Sequence, residues 1–195
     1  DTGEIVTEDI YQQLISLRRA LEDKNISQRQ SIVSILGSGA CIVLLLLIFY
    51  LYLYTYRRKL LDNLRHVFFF VILMAIITSG AFLVLQYAPV GYIYLIPFAW
   101  CPVIARVFYD SRTAIFVHII TVFIVSIAVP APYVFLFMQV LTGIVAVISL
   151  RDMTQRAQLA KTAAFILLAY SLLYTAVTVL TTGSITDLDY RLYFY

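Results

Sequence analysis

Few side chains in this 195-residue sequence could do chemistry, and those few stand among apolar neighbours. Arg106 precedes Asp110 by four residues, a spacing that puts both on one face of a helix and allows a local ion pair. His118 follows about six residues into the next apolar stretch, and Gln139 and Thr142 share a face of the one after it. Ionisable groups in such surroundings are candidates for binding a ligand or switching a signal. A plainer reading stands beside that one. Arg106 reaches the membrane interface on its long stem, and His118 is a hydrogen-bonded packing residue. The sequence alone leaves both open.

These residues hang on the stretch from Tyr92 to Arg112, YIYLIPFAWCPVIARVFYDSR, which holds two prolines and the only tryptophan. A proline inside a helix removes one amide donor and clashes with the carbonyl four residues earlier. Pro97 is therefore expected to free the carbonyl of Ile93, and Pro102 that of Phe98. In hydrocarbon such groups need new partners from neighbouring helices, hydroxyls or water. Two readings follow: a kinked packing helix, or a movable bend with Arg106, Asp110 and His118 at its end, of the broken kind that lines binding sites.

Composition explains why partners must come from helices. Apolar residues make up 62% of the chain and charged ones 13%, with a mean hydropathy of +0.91, far from a soluble domain. The reading is an all-α polytopic transmembrane helical bundle in a lipid bilayer. Six spans are expected, at about 31–56, 67–87, 92–109, 113–129, 133–150 and 162–182, where about 20 apolar residues suffice to cross. Tyr50, Tyr52, Tyr54 and Tyr56 fit an interfacial belt at the end of the first. Gly37 and Gly39 permit close helix contact but lack the four-residue spacing of a small-residue motif. Cys41 and Cys101 both fall in apolar spans and read as packed thiols.

Charge orients the bundle. Arg57, Arg58, Lys59 and Arg65 lie between the first two spans, Arg106 and Arg112 near the third-to-fourth turn, and Arg151, Arg156 and Lys161 between the fifth and sixth. The alternate loops, 88–91 and 130–132, carry no charge. The positive-inside rule then puts the basic loops in the cytoplasm and residues 1–30 and 183–195 outside.

Residues 1–30 differ in kind. Thr7 is a good N-cap, Glu8 and Asp9 suit a first turn, and Ile10, Leu14, Leu17 and Leu21 form an apolar stripe at helical spacing. A short amphipathic helix is expected, docked on something upstream, so the sequence reads as beginning inside a longer protein. No H-E-x-x-H, P-loop or nucleotide-binding glycine pattern occurs, and neither His66 nor His118 is followed by aspartate. No catalytic motif, cofactor site, metal site or nucleic-acid partner is legible.

Three stretches, in order, carry a likeness. GEIVTEDIYQQL resembles the end of the extracellular domain in bacterial seven-transmembrane receptors with an intracellular HD hydrolase. IPFAWCPVIARVFYDSRTA resembles their proline-bearing span with its D-x-R-x-A turn, and GIVAVISLRDMTQRAQL their basic loop after the fifth span. The resemblance implies an extracellular sensor with its own ligand, a seventh span after Tyr195, and a cytoplasmic HD domain. That domain would hydrolyse cyclic di-AMP with two metal ions, iron or manganese. It also implies a multi-pass protein of the bacterial cytoplasmic membrane. The rival from another class is a small-solute transporter or substrate-binding membrane subunit, with the bent span holding the solute.

Overall fold

The computed structural model describes residues 8–150 and 156–182, with side chains over 32–89, 91–150 and 160–180. Seven α-helices occur among the described residues: α1 Glu8–Tyr56, α2 Arg58–Leu61, α3 Leu64–Tyr87, α4 Trp100–Phe108, α5 Ser111–Ser126, α6 Pro132–Ser149 and α7 Arg156–Thr182. A 3-10 helix, Val90–Leu95, precedes α4. No strand is present among these residues. Among the described residues five segments are long and apolar enough to cross a bilayer: Ile32–Tyr56, Leu64–Tyr87, Gly91–Phe108, Pro132–Ser149 and Ala160–Leu180. The sixth apolar helix, Ser111–Ser126, is shorter.

By its contacts the chain divides into two units, Asp1–Val43 and Leu44–Tyr195. In the first, Ile32, Val33, Ile35, Leu36 and Val43 are exposed, as lipid-facing side chains must be. A Cβ at Gly37 or Gly39 would meet nothing within 4 Å, so neither glycine is used for close packing here. The polar stretch after Glu8 and the first span are one helix, where the sequence suggested a separate short one. Thr7, the side-chain stripe from Ile10 to Leu21, the basic loop 151–155 and the tail from Gly183 lie outside the described residues.

The second unit is built around α5. Ten of its sixteen residues are buried, from Thr113 to Ser126, and it packs on α3, α4 and α6. Only Arg112 and Phe123 of this helix are exposed. Around it the other helices bury single stripes. α6 turns in Phe135, Met138, Gln139, Thr142, Gly143, Ala146 and Val147, the three-and-four spacing of one helical face. α3 turns in Phe70, Leu73, Met74 and Ala81. One core cluster joins Ala81, Ile93, Phe98, Val122, Val125, Val129 and Phe135, with Phe98 and Phe135 meeting edge to face at 5.2 Å between ring centroids.

Turn chemistry sets the ends. Asn63 caps α3, its side-chain oxygen accepting from the amide of Arg65 at 3.1 Å. Pro132 opens α6 at a first-turn position where no amide is needed.

Candidate functional site

The third span departs from the single kinked helix expected of it. The chain runs as a 3-10 helix to Leu95, extends at Ile96, and restarts as α4 at Trp100. Pro97 lies in the break between helices, and Pro102 lies in the first turn of α4, where its missing donor costs nothing. Neither expected carbonyl is left free. Ile93 O accepts from the amide of Ile96 at 3.4 Å and Phe98 O from that of Cys101 at 3.0 Å. The amide of Phe98 donates to Ile96 O at 2.8 Å and that of Trp100 to Pro97 O at 2.9 Å. Tight local bonds thus do what neighbouring helices were expected to do.

The carbonyl that does need outside help belongs to Tyr94. With the amide of Phe98 turned to Ile96, Tyr94 O accepts instead from the hydroxyl of Tyr170 on α7 at 3.0 Å. That hydroxyl accepts from Nε2 of Gln139 on α6, also at 3.0 Å. The backbone carbonyl of Gln139 takes a bond from Nε2 of His118 at 2.9 Å. Because a carbonyl only accepts, His118 carries its proton on Nε2 and leaves Nδ1 as an acceptor. Nδ1 is buried without a partner. Gly143 makes the approach possible: the imidazole occupies the place a side chain would take. One polar chain therefore runs through α5, α6 and α7 to the break in the third span. Nearby, Cys101 Sγ lies 3.6 Å from Thr121 Oγ1, whose hydroxyl donates to Val117 O at 2.8 Å.

A second polar cluster stands at the basic end. The sequence suggested that Arg106 pairs with Asp110, and the structure corrects this. α4 ends at Phe108, and Tyr109 is extended at φ −136° and ψ 179°, so Asp110 has left the face that carries Arg106. Arg106 Nη1 donates to Tyr109 O at 3.2 Å, while its buried Nε has no partner. Asp110 forms its ion pair with Arg57 at the end of α1. The Thr113 hydroxyl donates to the same carboxylate at 2.7 Å, and the Tyr52 hydroxyl lies 3.3 Å from Thr113 Oγ1. Tyr52 also stacks on Phe116, ring centroids 4.1 Å apart. Burial pulls the Asp110 carboxyl upward, but the Thr113 hydroxyl and the Arg57 charge outweigh it and hold the group below the usual carboxylate range. Nδ1 of His66 on α3 meets the Tyr109 hydroxyl at 2.8 Å. The α4–α5 turn is thereby fastened to α1 and α3.

The suggested residues thus fall into two groups. His118 and Gln139 meet directly, and Asp110 anchors the basic end; Arg106 touches that end only through a backbone carbonyl. Sequence reasoning missed Arg57, Tyr94, Thr113 and Tyr170. A tyrosine in the middle of an apolar span was the signal for Tyr170, half-buried in the structure, since its hydroxyl needs a partner when withdrawn from water.

The sequence profile of one protein family, described as 7TM receptor with intracellular HD hydrolase, matches residues 32–195. The chain belongs to this family. No similar curated protein and no similar solved structure was found. Membership makes this a transmembrane receptor region of an HD-domain-containing protein, and the family's name implies an intracellular HD domain as its partner. Among the described residues no three His, Cys, Asp or Glu side chains come together as a metal requires.

Proposed function

We propose that this chain is the sensing and transmitting membrane region of a receptor-type HD phosphodiesterase that hydrolyses a cyclic dinucleotide, cyclic di-AMP. The single observation behind this reading is that the family profile matches the membrane region from residue 32 to residue 195. On this reading an extracellular domain receives a ligand, residues 1–30 enter from outside, and the basic loops face the cytoplasm of a bacterial cell. The hydrolytic site, with its iron or manganese, belongs to the HD domain beyond the chain.

The geometry supplies a route for the signal. α1 is the helix joined to the sensor side, and its last residues reach Asp110 through Arg57. Asp110 is the residue just before α5, and α5 touches α3, α4 and α6. A ligand acts only by favouring one of two arrangements, and movement of the Arg57 end would bias the α4–α5 turn directly. The transporter reading gains less. It needs open backbone groups at the broken span, whereas those of Ile93, Tyr94 and Phe98 are already taken by amides and by Tyr170.

The test compares the chain with a version extended through its HD domain. The extended protein should hydrolyse cyclic di-AMP with added manganese or iron, and the 195-residue chain should not. Metal-dependent turnover by the chain alone, or none by the extended protein, overturns the proposal.

A further inference from the structure

Two recesses open beside Arg57 at the basic end of the bundle. One, of about 570 Å3, is lined by Arg57, Arg58 and Lys59 together with Tyr56, Leu60, Tyr109 and Asp110. The other, of about 420 Å3, is lined by Tyr52, Tyr56, Arg57 and Arg112. Arg57 is common to both. Four cations thus face a single carboxylate, and that carboxylate is already engaged by Arg57 and by the Thr113 hydroxyl. The engagement matters physically. It fixes the Arg57 side chain between the recesses while leaving it 38% exposed. Arg58 is also constrained, its guanidinium carbon 5.0 Å above the Tyr54 ring.

The lining is mixed in a way that suits one kind of ligand. The cations suit a phosphate group, for which guanidinium donors are well matched. The ring bodies of Tyr52, Tyr56 and Tyr109 and the side chain of Leu60 offer apolar surface beside them. The recesses lie where the apolar helix α1 ends and the basic turn begins, the level at which lipid headgroups meet a spanning helix. We propose that these recesses form a binding site for the headgroup of an anionic phospholipid, with Arg58, Lys59 and Arg112 holding its phosphate and the tyrosines and Leu60 flanking its glycerol end. The occupant is a lipid because the site opens at the end of membrane-spanning helices and couples charge to apolar surface. A soluble phosphate would use the charge alone. The inference does not depend on the hydrolase reading.

The experiment places the full chain in nanodiscs of phosphatidylcholine mixed with phosphatidylglycerol and counts co-retained lipids by native mass spectrometry. Wild type should retain phosphatidylglycerol preferentially. The triple change Arg58→Gln, Lys59→Gln, Arg112→Gln affects only exposed side chains and leaves the Arg57–Asp110 pair in place. It should lower the preference by roughly tenfold or more, since each basic side chain near an anionic surface contributes about a fivefold factor. Arg65→Gln, a basic residue of the same loop region outside both recesses, should lower the preference by no more than the roughly fivefold factor of one diffuse surface charge. An equal loss in Arg65→Gln would mean diffuse surface charge and overturn the site. Glycerol phosphate in solution should fail to displace the lipid; full displacement would make this a soluble-phosphate site and overturn the lipid assignment. An unaltered preference in the folded triple variant overturns the proposal outright.

Discussion

Gly143 and His118 share one space: a Cβ built on Gly143 would fall less than 3.0 Å from three atoms of the imidazole ring. The ring cannot give way cheaply, because its Nε2 is tied to the carbonyl of Gln139 one turn earlier on the same helix. The α5–α6 contact is therefore set by the absence of a side chain at one position.

Gly143→Ala should destabilise the bundle by about 1–3 kcal/mol, the usual cost of overpacking a closed core. Thermal unfolding in detergent would show it. His118→Ala in the same chain makes room for the methyl group, so the double variant should be more stable than the sum of the two single losses predicts. Simple additivity would mean the two residues are not in contact as described.

Tyr170→Phe removes the hydroxyl that serves Tyr94 O and receives Gln139 Nε2. Hydrogen bonds between helices in membranes are modest, so a loss of about 1 kcal/mol is expected. The more telling readout is hydrogen exchange, which should quicken locally around residues 94–98. A protection pattern identical to wild type would show that the break holds itself.

Acid should loosen the basic end. The Asp110 carboxyl is held low in the folded chain, so it contributes stability above the unfolded carboxylate value of about 3.9. That contribution fades as pH falls through the lower folded value. Melting temperature measured from pH 7 downward should therefore keep this contribution until the solution is more acidic than about pH 4, and then lose it. Asp110→Asn should lack this acid-linked loss at every pH. The exchange Arg57→Asp with Asp110→Arg should recover part of what either single change removes.

Topology is tested by labelling. In a background without Cys41 and Cys101, a cysteine replacing Asn63 should be shielded from an impermeant thiol reagent in intact cells, and one replacing Thr186 should react. The reverse pattern would invert the bundle and move the lipid site to the outer leaflet.

Much of the helical architecture was legible because hydropathy is a property of stretches, and Leu64–Tyr87 or Pro132–Ser149 declare themselves by composition. The pairings were not. Asp110 has Arg106 four residues away, and local spacing favoured that partner; the extended conformation at Tyr109 decided for Arg57, more than fifty positions earlier. Proline chemistry likewise gave the right region and the wrong atoms. The rule applies to a proline in a helix interior, while Pro97 sits between helices and Pro102 at a start. The carbonyl left over was that of Tyr94, and its partner on α7 is set by tertiary packing that no spacing reports.

With ten of its sixteen residues buried, α5 constrains how the protein is made. At 16 residues it is about 24 Å long, short of the roughly 30 Å of a hydrocarbon core. It also carries Thr113, His118, Thr121 and Ser126 inward. Released alone into lipid, it would neither span the bilayer nor satisfy the His118 imidazole, whose partner lies on α6, although the Thr121 and Ser126 hydroxyls bond carbonyls of their own helix. Synthesis must therefore deliver it to companions already at hand, with α4 emerging just before it and α6 just after. The segment at the centre of the finished bundle is the one least able to enter the membrane unaided, and truncations that end within α6 should leave it outside the bilayer, open to protease.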